Sequence, residues 1–100
     1  MNNRIHNTIL RNSAEGTRNA QRYKHTYLKM YELAHKLINE YSLTHVVLAS
    51  DLRIYAYHKD RKTIYDIHEY IQSSAYNVKS SGVLHGIDSY ALVISVPKYI

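Results

Sequence analysis

A chain of 100 residues with 45% hydrophobic side chains has room for one modest core, which excludes wholesale disorder and argues for a single domain over residues 1–100. The absence of cysteine excludes disulfides, zinc ribbons and thiol catalysis together. A formal charge of +5 at pH 7 favours an acidic partner, either nucleic acid or an acidic surface of another protein.

No run approaches the roughly 18 apolar residues of a membrane helix, so no membrane partner is expected. The start, MNNRIHNTILRNS, carries no apolar signal core and reads as cytoplasmic, or host-cytoplasmic if the chain is virus-encoded. Aromatic usage is lopsided: 11 Tyr, no Phe and no Trp. Tyrosine packs like an aromatic but wants a partner for its hydroxyl, so it suits half-buried surfaces and interfaces. Charge is uneven as well. Residues 1–42 hold seven Lys/Arg against three Glu, whereas residues 43–100 hold six against five acids.

In chain order, Met1 to Glu15 reads as weakly helical. Ile5 and Ile9 continue the apolar phase of the following helix, and Arg4 and Arg11 continue its basic phase. Asn12, Ser13 and Gly16 weaken the middle, and Thr17 is a fresh N-cap candidate. The spacing therefore predicts two helices bent near Gly16, with one long helix over 3–41 as the alternative. From Thr17 to Tyr41 the pattern is regular. Ala20, Tyr23, Tyr27, Met30, Ala34, Leu37 and Tyr41 alternate three-four, which makes one apolar stripe. Arg18, Arg22, His25, Lys29 and Lys36 fall opposite, and Glu32 can pair with Lys36 at i,i+4.

Ser42 and Leu43 end this helix. Thr44–Ala49 is a β-branched apolar run, Ser50-Asp51 a two-residue turn, and Leu52–His58 an alternating strand. That strand puts Leu52, Ile54 and Ala56 on one side and Arg53, Tyr55 and Tyr57 on the other. After Lys59–Lys62, Thr63 and Asp66 imitate a capping box, and Ile64, Ile67, Ile71 and Ala75 trace a helix ending near Tyr76-Asn77. Ser80-Ser81-Gly82 reads as a loop. Val83–Ile87 and Tyr90–Val96 read as two further strands, the second apolar enough to be central. The expected fold class is α+β. An N-terminal helical segment precedes a β-hairpin–helix–β-hairpin that forms a four-stranded, largely antiparallel sheet.

Catalytic signatures are missing. The seven histidines show no H-x-x-x-H pair, so no metal or other cofactor is implied. Asp51, Asp60, Asp66, Glu69 and Asp88 are dispersed, against the gathered carboxylates of a metal-dependent nuclease. No nucleophile elbow or phosphate loop occurs. The expectation is a non-enzymatic module acting through surfaces.

Three surfaces stand out. Arg11, Arg18, Arg22, Lys29 and Lys36 form a basic row that can follow phosphates. Arg53, Tyr55 and Tyr57 share a strand face and can stack bases, unless the long helix roofs them. Tyr23, Tyr27, Met30 and Ala34 form a helix face with small residues, which suits packing on the chain's own sheet or a homodimer. Nucleic-acid binding is the leading reading. A protein-interaction module, such as a phage-type inhibitor of a nucleic-acid-processing protein, uses the same surfaces. A nucleotide or small-ligand binder at an oligomer interface is the third.

Overall fold

The computed structural model describes residues 11–12, 14, 16–73, 79–86 and 89–97, with the backbone alone for 11–12 and 79–81. Its elements are β1 (Arg11–Asn12), α1 (Arg18–Arg22), α2 (Lys24–Tyr41), β2 (His45–Leu48), β3 (Arg53–His58), α3 (Arg61–Ser73), β4 (Lys79–His85) and β5 (Tyr90–Ser95). This is the expected α+β arrangement, with a helix, an antiparallel four-stranded sheet and a further helix. The sheet order is β1-β2-β3-β5-β4. Strands β2, β3, β5 and β4 pair antiparallel, and β1 adds a two-residue parallel pairing of Arg11 with Val47 and Asn12 with Leu48. Arg11 is therefore in a strand, not in a continuous helix over 3–41. Residues 1–10, with Arg4, Ile5 and Ile9, lie outside the described residues.

The chain turns at Gly16, but out of strand β1 and not out of a first helix ending near Glu15: Gly16 takes a positive φ of 77°, which only glycine adopts cheaply. Thr17 caps α1, accepting from the Ala20 N–H (3.1 Å) while its hydroxyl donates to Ala14 O (2.6 Å). A second break falls at Tyr23, whose φ of −114° and ψ of 58° interrupt the helix. At its other end α2 stops on Ser42 in the left-handed region, with the Ser42 N–H donating to Ile38 O.

Helix α2 buries Thr26, Met30, Leu33, Ala34, Leu37 and Ile38. The true stripe is thus rotated from the one drawn through the tyrosines: Tyr23, Tyr31 and Tyr41 sit at its rim, half-buried against the core. Val46, Leu48, Ile54, Ala56, Leu92 and Ile94 of the sheet meet this stripe and also Ile64, Ile67 and Ile71 of α3. These sheet residues all belong to one face, so α2 and α3 lie side by side on that face.

The β2–β3 connection is one residue longer than expected. The Leu52 N–H donates to Ala49 O and the Ala49 N–H to Arg53 O, so the loop is Ser50-Asp51-Leu52 and β3 begins at Arg53. Leu52 has φ 64° and only 2% exposure. A left-handed leucine costs about 1–2 kcal/mol, and burying its side chain returns about 1.5–3 kcal/mol. Burial wins, which explains leucine where turn chemistry alone would place glycine or asparagine.

The start of α3 also differs from the capping box drawn at Thr63 and Asp66. Asp60 is the capping side chain: it accepts from the Lys62 N–H (3.2 Å) and the Thr63 hydroxyl (2.9 Å). Asp66 instead faces Lys62 Nζ at 3.4 Å. The Asp60 N–H donates to His58 Nδ1 (2.8 Å), which closes the turn out of β3. β4 starts earlier than expected and takes in Ser80-Ser81-Gly82 through a bulge between Ser80 and Gly82. β5 is central, with Ala91, Leu92, Val93 and Ile94 all buried. Ala75, Tyr76 and Asn77 lie outside the described residues.

Leu52→Gly relieves the positive φ but removes the side chain, and chemical denaturation should show a net loss of about 2 kcal/mol. A gain in stability would mean that backbone strain outweighs burial there. The hydrogen bond from Thr63, with those from the backbone, holds the Asp60 carboxyl below its ordinary pKa of 3.8. A depressed carboxylate contributes stability above the unfolded pKa and loses it as pH falls through the folded one. The thermal midpoints of the unsubstituted chain and Asp60→Asn should therefore differ near neutrality and converge as pH falls below about 3.8.

Candidate functional site

Exposed arginines from two elements meet at one end of the sheet, while Lys59, Arg61 and Lys62 are exposed at the other end of β3. The anchor is local: the Asn19 side chain on α1 donates to Ser50 O in the β2–β3 loop (3.2 Å). This holds α1, with exposed Arg18 and Arg22, against the loop that leads into exposed Arg53. The buried Thr26 hydroxyl donates to Pro97 O (3.0 Å), which brings the first turn of α2 to the same end, just past β5. Lys24, His25 and Lys29 are exposed on that half of α2.

The row does not continue as a uniform stripe. Lys29 Nζ lies 3.9 Å from Glu32 on the exposed surface. Lys36 is half-buried, with its Nζ 5.7 Å from the ring centre of Tyr70 on α3, a cation–π contact between the helices. Arg22 lies 5.4 Å over the Tyr23 ring. Arg18, Arg22 and Arg53 thus share the loop end, Lys29 is the next cation along α2, and Lys36 is engaged with α3. The side chain of Arg11 lies outside the described residues.

The second surface is the sheet face opposite the helices. Its register places His45 beside Tyr57, Val47 beside Tyr55, then Ala91 and Val93, and then Leu84 and Gly82. Helix α2 is on the other side of the sheet and does not roof Tyr55 or Tyr57, which are half-buried. The His45 and Tyr57 rings stack with centroids 4.2 Å apart and planes 16° apart. Arg53 stands in the same row of β3, its guanidinium 3.7 Å from Asp51. Both partners of that pair are about half exposed, a setting in which an ion pair is worth about 0–1 kcal/mol, so a phosphate can compete for the arginine. Leu84 adds an apolar side chain that is 55% exposed.

Sequence reasoning missed His45 and Leu84. Counting across the hairpin from a two-residue turn sets His45 opposite Ala56. The extra residue Leu52 moves it opposite Tyr57.

The third surface lies partly inside the core. Of the Tyr23/Tyr27/Met30/Ala34 face, Met30 and Ala34 are 0% exposed and pack in the chain's own core, while Tyr23 and Tyr27 are half-buried. Tyr27, Tyr31 and His35 form a ring ladder along α2, with centroids 6.5 Å and 4.6 Å apart. His35 Nε2 is shielded from solvent without a hydrogen-bond partner, so the ring serves as packing surface.

Among the described residues, no group of three or more His, Cys, Asp or Glu could hold a metal ion. Among them also, no helix is long and apolar enough to cross a membrane. Three of the scattered carboxylates have structural partners: Asp51 with Arg53, Asp60 with its cap, and Asp66 with Lys62. No protein-family model, curated protein or solved structure matches this chain.

Thr26→Val keeps the shape but leaves the Pro97 carbonyl without the threonine hydroxyl. Urea unfolding should show a loss of about 1 kcal/mol, with Thr26→Ser close to the unsubstituted chain.

Proposed function

We propose that this protein is a small non-enzymatic binding module whose partner is nucleic acid. The observation that carries the reading is the Asn19–Ser50 hydrogen bond, which sets Arg18 and Arg22 of α1 beside the loop leading to Arg53. Exposed arginines on separate elements, converging at one end of a chain with a charge of +5, suit phosphates better than a neutral ligand. Lys29 extends this patch along α2. Arg11 and Lys36, included in the row drawn from sequence, are secondary to it, because Arg11 is in β1 and Lys36 contacts Tyr70.

A second reading, a module that docks on another protein and blocks it, draws support from Leu84, which is exposed beside Ala91. It calls for a stoichiometric complex whose affinity resists salt and rests on a few side chains.

Binding to a labelled oligonucleotide should weaken linearly in log Kd against log salt. Each phosphate contact removed by Arg18→Gln, Arg22→Gln or Arg53→Gln should lower the slope by roughly 0.7–0.9. Retention on heparin that ignores charge reversal at Arg22 and Lys29 would sink the proposal.

A further inference from the structure

From the loop end, β3 runs into the sheet face opposite α2 and α3, where among the described residues no helix covers Tyr55 or Tyr57. From Arg53, β3 continues to Tyr55 and Tyr57, all on the side away from the helices. The Tyr57 ring stacks on His45. Tyr55 stands between Val47 and Val93, its cross-strand neighbours. Buried Ala91 and Val93 give the rings an apolar floor.

The spacing of this row selects what can lie on it. Side chains two apart on a strand are about 6.6–6.8 Å apart, whereas bases along one strand of a duplex rise about 3.4 Å each. Rings at the wider spacing cannot each meet a neighbouring base of a stacked helix, and stacking within the duplex hides the π-faces they would use. An extended strand with its bases unstacked opens to such a spacing. It offers a face to each tyrosine and a phosphate to the guanidinium at the end of the row.

Resting on the nucleic-acid reading above, we infer that the ligand is single-stranded nucleic acid, lying along β3 with adjacent bases on Tyr57 and Tyr55 and the backbone at Arg53. Charge complementarity favours this occupant over a protein, because Arg53 closes the aromatic row and Arg18 and Arg22 share its end of the sheet. The tyrosine rings supply a stacking energy that tolerates any base, so recognition is of strandedness more than of sequence.

The test compares a fluorescein-labelled oligothymidylate of about ten nucleotides with a hairpin duplex of similar length. The single strand should bind more tightly. Tyr55→Leu and Tyr57→Leu should each weaken it roughly ten-fold, and Tyr55→Phe and Tyr57→Phe should restore it. Duplex affinity should respond to Arg18→Gln and Arg22→Gln but not to the leucine variants. Photocrosslinking of a bromouracil-substituted strand to the unsubstituted protein, mapped by mass spectrometry, is expected at Tyr55 or Tyr57. This arm holds whether or not the leucine variants fold. Equal binding of duplex, or crosslinks confined to α1 and α2, would overturn the inference and leave the broader reading standing. Failure to bind either probe at low salt would overturn both.

Discussion

The register of the β2–β3 hairpin is the constraint on which the rest depends. Side chains alternate across a sheet, so a slip of one residue exchanges the buried and open sets of a strand. Here the left-handed Leu52 supplies the one extra residue that aligns Val46 and Leu48 with Ala56 and Ile54 on the helix side. The same step sends His45, Val47, Tyr55 and Tyr57 together to the other side. A single buried leucine in an unfavourable backbone region therefore sorts the apolar core from the aromatic face. Its own burial under the hairpin offsets the conformational cost.

The N-terminal helices contribute position more than bulk. Short α1, a five-residue helix, would not persist alone, since isolated helices below about 12–15 residues are marginal. It is held by the Thr17 cap at one end and by Asn19 on the loop. The break at Tyr23 lets α1 lean on the hairpin while α2 follows the core. Arg18 and Arg22 are thereby brought to the Arg53 end of the sheet, whereas Glu32 and Glu40 lie farther along α2.

Much of the fold was legible because its signals are local. Alternation in β3, the three-four isoleucines of α3, the Gly16-Thr17 punctuation and the apolar run of β5 each depend on neighbours within a few residues. The misreadings have physical causes. Counting tyrosine as a core residue rotated the α2 stripe. Its hydroxyl keeps it at the rim, and Leu33 and Ile38 take the centre. Arg11 fitted a helical phase, yet its strand depends on pairing with Val47, far along the chain. The burial of Thr26 has no local signal, because its partner, Pro97, is 71 residues away. Of the candidate site, the composition of the β3 face was readable. Its openness was not, since that depends on both helices choosing the same side.

The edge of the sheet carries a consequence of its own. Among the described residues, β4 is the outermost strand beyond β5, and an edge strand's row of backbone donors and acceptors invites another chain to add on. The bulge between Ser80 and Gly82, with Gly82 at φ 143°, breaks the regular spacing of that row. An incoming strand would find its hydrogen bonds out of step after two or three residues. The edge of the sheet is thus irregular where a regular one would offer a continuous template for another strand.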